Sequence, residues 1–353
     1  MTLGEIQFST KGSLVFLSLL LCLTACSKPP RLATNDDPSR YTRVEDVIWA
    51  SPGGFDLTMD IYTPKTGSGP YPVLVIFHGG GWLINDNSIM DEAAAYLATH
   101  SQYVVCNVNY RLLSDNDNTV SLDQIVEDAF GAVLWVGDHI NSYQGDRSKI
   151  AVTGDSAGGH LTAMILNRGD HLSSAGLGGN PSGFNPTYLP KGQSAEDIAI
   201  AGGINIQAAI PNYGAYNVYQ SALEGFESWA NIFWLMGGAL PRGLFGDDIN
   251  AIDNVEYYKA VSPSFHIPNN DQRLLPPQLI TVGSEDTLVT PASVRAYVNK
   301  LTLAGHPVVY WEYAGRPHAY LDSGSNGILG TEFAVDAPPA LDVMIRFLDG
   351  IFY

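Results

Sequence analysis

Two short glycine-rich strings carry the residues best suited to chemistry. Residues 154–158 read Gly-Asp-Ser-Ala-Gly, and residues 78–82 read His-Gly-Gly-Gly-Trp. The first fits the G-x-S-x-G nucleophile elbow, a sharp strand-to-helix turn that exposes a serine hydroxyl, here that of Ser156. The second fits the loop that offers backbone N–H groups to an oxyanion during acyl transfer. Together the two strings predict a serine nucleophile with an oxyanion hole.

Each string follows a predicted strand, as this chemistry requires. The apolar run at residues 72–77 is typical of a buried parallel strand, and a β-rich run at 149–153 precedes the elbow. Residues 157–166 are rich in Ala, Leu and Met and can be helical. Glycines flank Ser156 because the turn brings backbone segments too close together for side chains.

A serine nucleophile needs a base, and the base needs a carboxylate that orients it. Asp286 follows an apolar run at 278–282, and His318 follows a run at 308–313. Their order after Ser156 is the order found in α/β-hydrolases. Because the carboxyl ends of parallel strands meet at one edge of a sheet, we predict Ser156, Asp286 and His318 as the catalytic residues.

Other residues compete for these roles. Glu285 is adjacent to Asp286 and is an alternative acid, and Asp322 is the next candidate after it. His306 precedes a proline in a helix-to-strand loop and is expected at the opposite edge of the sheet. His266 and His160 are expected to be structural, because a lone histidine more often packs than reacts.

The strings resemble those of α/β-hydrolase esterases, specifically the hormone-sensitive-lipase-like group and its bacterial carbohydrate-esterase relatives. Residues 56–64 resemble the second strand of the carbohydrate-esterase relatives. Residues 109–112, Asn-Tyr-Arg-Leu, match the strand end after the oxyanion loop in both groups, and residues 260–263 look like the segment before the acid strand. The resemblance runs from about Val44 to the C-terminus.

This resemblance implies specific site residues. It implies a triad of Ser156, Asp286 and His318, and an oxyanion hole formed by the backbone amides of Gly79, Gly80 and Ala157. It also implies that His78 and Trp82 hold and line the oxyanion loop, and we therefore predict them as substrate-binding residues.

The alternation of strands and helices predicts an α/β-hydrolase fold with a mostly parallel eight-stranded sheet and helices on both faces. A Gly-Gly turn between the first two strands predicts a hairpin at one edge. The predicted strands are 46–52, 56–64, 73–80, 104–111, 150–156, 206–214, 278–286 and 308–315. The predicted helices are 87–100, 121–142, 157–167, 291–304 and 337–350.

Two insertions interrupt this alternation. Residues 168–203 are rich in Gly, Ser, Asn and Pro and predict a long surface loop. Residues 215–258 contain a cluster of aromatic and apolar side chains around Trp234. We expect both insertions to leave the catalytic edge of the sheet and to form a lid over Ser156, with ordinary core packing as the alternative.

The N-terminus reads as a targeting segment. Residues 14–23 form an apolar run of signal-peptide length that is too short to span a bilayer. The following Thr-Ala-Cys resembles a bacterial lipoprotein signal, which predicts a signal peptide at 1–25, lipidation of Cys26, a tether at 26–43 and a hydrolase domain at 44–353. Ser27 after the cysteine indicates the outer membrane if the host is Gram-negative. The alternative is a plain secretory signal.

Composition and net charge limit the kinds of partner that the protein is expected to bind. The 353-residue chain has a net charge of −18, which argues against nucleic acid as a partner. The acidic residues show no calcium-loop or zinc spacing, so we predict no metal and no cofactor. The expected partners are a small-molecule ester and a membrane reached through the lipid anchor. Oligomeric state is left open.

These observations predict a serine carboxylesterase that hydrolyses carboxylic esters, with short acyl chains, through an acyl-enzyme. A carbohydrate-ester hydrolase that removes acetyl or feruloyl groups uses the same machinery and is the first alternative. A serine peptidase and a non-catalytic binding lipoprotein are further alternatives, which the His-Gly-Gly-Gly string and the joint presence of Ser, Asp and His disfavour.

Overall fold

The computed structural model describes residues 37–180 and 182–353. Within this part the main sheet has eight strands in the order β1-β2-β4-β3-β5-β6-β7-β8. A small two-stranded ribbon follows near the C-terminus. The strands are β1 (Tyr41–Ala50), β2 (Leu57–Pro64), β3 (Tyr71–Phe77), β4 (Val104–Val108), β5 (Gly145–Asp155), β6 (Ala208–Asn212), β7 (Gln278–Gly283), β8 (Val308–Tyr313), β9 (Ser325–Asn326) and β10 (Thr331–Glu332).

The predicted fold class is confirmed by the pairing of these strands. β1 and β2 form an antiparallel hairpin, and β2 also pairs antiparallel with β4. All pairs from β4 through β3 to β8 are parallel. The carboxyl ends of β3, β5, β7 and β8 therefore point to one edge, which is where the predicted site residues follow their strands.

Helices cover both faces of the sheet. They are α1 (Asp91–His100), α2 (Asp115–Asn118), α3 (Leu122–His139), α4 (Ala157–Arg168), α5 (Ala195–Ile200), α6 (Val218–Leu223), α7 (Ile232–Met236), α8 (Val255–Ala260), α9 (Pro291–Leu303) and α10 (Phe333–Phe352). Short 3-10 turns lie at 38–40, 52–54, 87–90, 140–143 and 263–265. Among the described residues, none of the helices combines the length and hydropathy needed to traverse a bilayer.

The side chains of the central strand, β3, point alternately to the two faces of the sheet, which explains why both faces are covered. In β3, Val73, Val75 and Phe77 join the core beneath α3 and α4. Leu74 and Ile76 join the core beneath α1, α9 and α10. Successive side chains of a strand point to opposite faces, so a strand that is apolar throughout must be covered on both sides.

The first strand begins earlier than expected. β1 starts at Tyr41, which is buried and pairs with Pro64, whereas we predicted a strand from 46 and a tether up to 43. The last residues assigned to the tether are thus part of the sheet. The signal segment 1–25, Cys26 and the first part of the tether lie outside the described residues.

The insertion 168–203 leaves the edge opposite to the one we predicted. α4 begins directly after Ser156 and ends at Arg168; its 12 residues span about 18 Å. The insertion starts at that far end and packs along α3, where Phe184 contacts Phe130 and the Thr187 hydroxyl bonds Asp128. The segment therefore leaves from the far end of α4 and not from the catalytic edge, and it returns along α3 as far as Thr187, whose Oγ1 lies 3.4 Å from Arg111 just past β4.

Candidate active site

Ser156 occupies the elbow between β5 and α4. Its backbone has φ 50° and ψ −113°, a conformation rare for a residue with a side chain. The neighbouring positions must be glycine because backbone carbonyl groups approach them too closely for a Cβ. A Cβ on Gly158 would lie 1.9 Å from the Phe77 carbonyl oxygen, and a Cβ on Gly154 would lie 2.4 Å from the Gly158 carbonyl oxygen. The strained turn is therefore fixed by packing against β3 and the first turn of α4.

The structure brings the three predicted catalytic side chains into one hydrogen-bonded chain. His318 Nε2 lies 2.9 Å from Ser156 Oγ, and His318 Nδ1 lies 2.7 Å from Asp286 Oδ2. The second oxygen, Asp286 Oδ1, accepts the backbone N–H groups of Leu288 at 2.9 Å and Val289 at 2.8 Å. Both carboxylate oxygens are thus engaged, and the carboxylate is fixed opposite the imidazole.

The competing acids lie elsewhere. Glu285 is exposed, with its backbone N–H bound to the Arg316 carbonyl. Asp322 follows His318 in the same loop, but its backbone N–H bonds the Ala319 carbonyl, and it is Asp286 that bonds the imidazole Nδ1. The geometry favours Asp286 as the partner of His318.

The competing histidines all have backbone partners or aromatic partners. His306 accepts the Leu275 N–H on Nδ1 and donates from Nε2 to the Pro268 carbonyl. His266 bonds the Lys259 carbonyl and Arg168. His160 donates from Nε2 to the Val261 carbonyl and accepts the Trp82 indole N–H on Nδ1. Burial lowers the pKa of His160 and of His266 to about 4, so both are neutral structural groups.

The loop after β3 places its glycines against the elbow. The carbonyl of Gly80 accepts the N–H groups of Leu83 and Ile84, which closes a tight turn. Gly80 has φ 116°, and a Cβ there would lie 2.2 Å from the Ile84 carbonyl oxygen. Only glycine fits this position. Ala157 is buried at the first position of α4, where its N–H belongs to the unpaired group of a helix N-terminus.

The Gly79 backbone lies against an acidic side chain. A Cβ on Gly79 would lie 2.3 Å from Asp155 Oδ2, and the Gly79 amide lowers the pKa of that carboxyl. Gly79 stays a predicted oxyanion donor, while the turn at Gly80 and the helix start at Ala157 have the better-defined geometry.

His78 and Trp82 support the loop from behind. His78 is 1 % exposed, donates from Nδ1 to the Gly79 carbonyl at 2.7 Å and stacks on Tyr110. Burial lowers the pKa of His78 to about 4, so it is neutral. Trp82 is 2 % exposed and its indole N–H is used by His160. The substrate-binding role that we predicted for these two residues is replaced by a packing role.

Comparison with known proteins identifies the family of this chain. A model of the family described as BD-FAE matches residues 59–301, which is more than half of the chain. The chain belongs to the BD-FAE family. Similar proteins include carboxylesterase NlhH of Mycobacterium tuberculosis, 26% identical over 79% of this chain and 76% of that protein. Esterase LipQ of the same organism is 28% identical over 80% of this chain and 58% of its own length.

Among solved structures, the apo form of esterase 2 from Thermogutta terrifontis superposes on this BD-FAE family member with a TM-score of 0.62. The match covers 91% of this chain and 98% of that one at 21% sequence identity. At this identity the likeness supports the α/β-hydrolase fold alone.

Sequence reasoning missed several residues that shape the BD-FAE site. Tyr110 donates its hydroxyl to the His78 carbonyl at 2.6 Å and so holds the start of the oxyanion loop. The ring of Tyr213 meets the His318 ring edge-on at 4.9 Å. Tyr110 lies in the Asn-Tyr-Arg-Leu string that we quoted only as a match, and its place directly after β4 was the available signal. Tyr213 follows β6 in the same way.

The insertion 215–258 covers the oxyanion loop of this family member. Phe226 meets Trp82 with ring centroids 5.3 Å apart, and the Phe233 ring lies 3.4 Å from a Cβ built on Gly81. Trp234 is fully buried and donates its indole N–H to the Phe226 carbonyl. Beyond this contact layer the segment exposes Trp229, Leu235 and other apolar side chains to solvent.

No cluster of three His, Cys, Asp or Glu side chains able to hold a metal occurs in residues 37–180 and 182–353. The free cysteine in this part of the chain, Cys106, is buried in β4, and burial raises the pKa of its thiol. It has neither the exposure nor the thiolate character of a reactive cysteine.

Proposed function

We infer that this chain is a carboxylic ester hydrolase, and we propose that it works as a serine esterase on short acyl chains through an acyl-enzyme. The observation that carries the mechanism is the continuous chain from Ser156 Oγ through His318 to Asp286, with separations of 2.9 and 2.7 Å. The names of the curated relatives, carboxylesterase and esterase, support ester hydrolysis as the reaction.

In the proposed mechanism Ser156 attacks the ester carbonyl while His318 accepts its proton. Asp286 holds the imidazole tautomer, because its oxygen can only accept and so requires the proton on Nδ1. The imidazolium then protonates the leaving alcohol. Water repeats the cycle on the acyl-enzyme and releases the acid.

The amides of Gly80 and Ala157 are the proposed donors to the tetrahedral oxyanion. Removing one such donor in a serine hydrolase costs on the order of 3 kcal/mol in the transition state. The tight turn at Gly80 and the helix start at Ala157 support this assignment, since each holds its backbone in a hydrogen-bonded structure.

The insertion 215–258 supports an apolar acyl-binding wall. Phe233 lies against Gly81, one residue beyond the proposed donor Gly80. An apolar wall beside the oxyanion hole binds the hydrocarbon part of an ester and excludes water. The segment that resembles carbohydrate esterases, residues 56–64, forms β2, which lies beyond β4 and β3 from β5 and does not contribute to this wall.

The decisive experiment combines Ser156→Ala with active-site labelling. Esterase 2 of Thermogutta terrifontis is phosphorylated by paraoxon, so the same reagent is a suitable probe. We expect one adduct per wild-type chain, located on Ser156 by peptide mass spectrometry, and no adduct on the variant. Turnover of p-nitrophenyl acetate by the variant should fall by several orders of magnitude. Near-normal turnover in a purified, folded Ser156→Ala protein would reject the mechanism.

Substrate class is tested with the same protein. A panel of acetyl, butyryl and octanoyl esters, methyl ferulate and acetylated xylan separates a short-chain carboxylesterase from a carbohydrate-ester hydrolase. We expect the highest kcat/KM on acetyl or butyryl esters. A preference for feruloyl or xylan esters would assign the alternative class.

We also propose that the enzyme is exported and anchored through lipidated Cys26. The apolar run at 14–23 and the Thr-Ala-Cys that follows support this placement. In cells, Cys26→Ser should move the protein out of the membrane fraction, because the acyl chains supply the anchor. A protein expressed from Ser27 onward is the matched control and should keep its esterase activity. A wild-type protein that is fully soluble after export would replace lipidation with plain secretion.

A further inference from the structure

A chain of buried side-chain hydrogen bonds crosses the sheet near the carboxyl ends of its central strands. The Tyr320 hydroxyl lies 2.6 Å from Thr281 Oγ1, and Thr281 Oγ1 lies 2.7 Å from Asn212 Oδ1. The Asn212 side-chain amide in turn lies 3.2 Å from the Gly154 carbonyl oxygen. Tyr320, Thr281 and Asn212 are each 1 % exposed. The chain therefore joins the loop after β8 to β7, to β6 and to the end of β5.

The direction of these hydrogen bonds follows from the partners of Asn212. Its Nδ2 faces the carbonyl oxygens of Gly154 and Ile210, which can only accept, so its Oδ1 faces Thr281. The single hydroxyl hydrogen of Thr281 is then donated to Asn212, and Tyr320 must be the donor to Thr281. Each hydroxyl has one role in the chain, so removing either one breaks the connection at that point.

Both ends of this hydrogen-bond chain lie next to catalytic residues. At one end the backbone carbonyl of Asn212 accepts the Ser156 N–H at 3.1 Å, so Asn212 holds the nucleophile elbow through both its backbone and its side chain. At the other end Tyr320 lies two residues after His318. The Tyr213 ring meets the rings of His318 and Tyr320 edge-on, with centroids 4.9 and 4.7 Å apart. The chain thus connects the segments that carry the nucleophile and the base.

The backbone of these segments is strained at three points. Ser156 has φ 50°, Tyr213 has φ 33° and Ala319 has φ 63°, a region that residues with a side chain rarely adopt. Such conformations persist only where the surrounding contacts hold them, and they cluster at functional sites. At Tyr213 those contacts include its N–H bond to the Thr281 carbonyl at 2.7 Å and the Leu321 N–H, which its hydroxyl accepts at 3.4 Å.

We propose that Thr281 and Tyr320 are positioning residues that act through Asn212 to hold His318 at hydrogen-bond distance from Ser156. The inference rests on the proposed esterase function, because its effect is measured in turnover. All three side chains are buried, so they act through the backbone segments they join and not on the substrate. Breaking the chain should therefore lower kcat and leave KM nearly unchanged.

Thr281→Val breaks the chain with little change in shape. We expect kcat for p-nitrophenyl acetate to fall about tenfold, with KM within about twofold of wild type, since small displacements of a reacting pair are costly. The rate at which paraoxon phosphorylates Ser156 should fall by the same factor, because that reaction needs the same proton transfer to His318. Thr281→Ser keeps the hydroxyl and should restore kcat to within about twofold of wild type.

Tyr320→Phe removes the other hydroxyl and keeps the ring. Because both substitutions break one chain, the double variant should lose little more kcat than Thr281→Val alone. Tyr297→Phe is the matched control. Tyr297 is equally buried, but its hydroxyl accepts the Asn167 amide near the end of α4 opposite to Ser156. Tyr297→Phe should lower Tm about as much as Tyr320→Phe and leave kcat unchanged.

Several outcomes overturn the proposal. Wild-type kcat in folded Thr281→Val and Tyr320→Phe would do so, as would losses that multiply in the double variant or a tenfold loss in Tyr297→Phe. If Thr281→Val does not fold, Tyr320→Phe against Tyr297→Phe decides the question through the separate changes in kcat and KM. A wild-type protein with neither turnover nor a paraoxon adduct would instead reject the proposed function, and this inference with it.

Discussion

The two ends of the sheet each hold a buried histidine, yet only one of the two has side-chain partners. At the carboxyl end, both ring nitrogens of His318 meet side chains, at 2.9 Å from Ser156 and 2.7 Å from Asp286. At the opposite end, His306 bonds the Leu275 N–H at 3.3 Å and the Pro268 carbonyl at 2.6 Å. A carboxylate can stabilise a protonated imidazole. A backbone N–H that donates to a ring nitrogen instead requires that nitrogen to be without a proton. The hydrogen-bond partners of a histidine, and not the residue type alone, therefore decide whether it can act as a catalytic base.

The two insertions also begin at opposite ends of the sheet. Residues 168–203 begin at the far end of α4 and pack on α3, where Thr187 and the Arg111–Asp128 ion pair meet. Residues 215–258 begin at the carboxyl end of β6 and pack on the oxyanion loop. Both look like long irregular segments in sequence. The end of the sheet from which a segment leaves therefore predicts its role better than its composition.

The sharpest test of the catalytic end is Asp286→Asn. The amide keeps the shape but can favour the wrong tautomer of His318, and the same change in a serine-protease triad lowers kcat by about 10⁴. We expect a loss of about 10³ to 10⁴ in kcat, measured with p-nitrophenyl acetate, with a folded protein by circular dichroism.

Glu285→Gln is the matched control, one residue away. Glu285 is exposed, and the carboxylate that bonds His318 is that of Asp286, so the loss of the Glu285 charge should change kcat less than about twofold. An inactive Glu285→Gln with an active Asp286→Asn would move the acid by one residue. Activity in both variants would direct attention to Asp322 and would remove the contrast drawn between His318 and His306.

The architecture was predictable from sequence because apolar runs and glycine strings are local signals. The hairpin of β1 and β2, the parallel core and the helix after Ser156 all follow from periodicity and turn residues. Three of the predicted strands extended too far at their carboxyl ends. The runs 73–80, 104–111 and 278–286 actually end at Phe77, Val108 and Gly283. An apolar or extended pattern does not reveal where strand pairing stops and a functional loop begins.

Contacts between distant segments were beyond sequence reasoning. The Asp155 carboxyl beneath Gly79 depends on how β5 and the β3 loop are stacked, which no local pattern records. The buried positions of His78 and Trp82 depend on Tyr110, His160 and Phe226, which come from three other segments. The starting edge of insertion 168–203 was, by contrast, available from the length of α4, since a helix that starts at the site must end away from it.

The smallest expected effect is a change in acyl-chain selectivity, which we expect from a substitution in one insertion and not in the other. Phe233 is partly buried and lies against Gly81 beside the proposed oxyanion donor. Phe233→Ala should leave kcat on acetyl esters within a few-fold and shift the ratio of kcat/KM for octanoyl over acetyl esters upward. The removed ring leaves space for a longer chain, and a pocket change of this kind is worth about 1–3 kcal/mol, or roughly 10- to 200-fold at most. The measurement is the chain-length profile of p-nitrophenyl esters.

Phe184→Ala is the matched change in the other insertion. Phe184 is fully buried against Phe130, so its loss should destabilise the fold by about 3–5 kcal/mol, as large-to-small core changes do. The chain-length profile of the folded variant should match wild type, because the ring lies beside Arg168, at the end of α4 opposite to Ser156. A shifted profile in Phe184→Ala, or an unchanged one in Phe233→Ala, would erase the functional distinction between the two insertions. A shift confined to Phe233→Ala would locate acyl selectivity in the segment that covers the oxyanion loop.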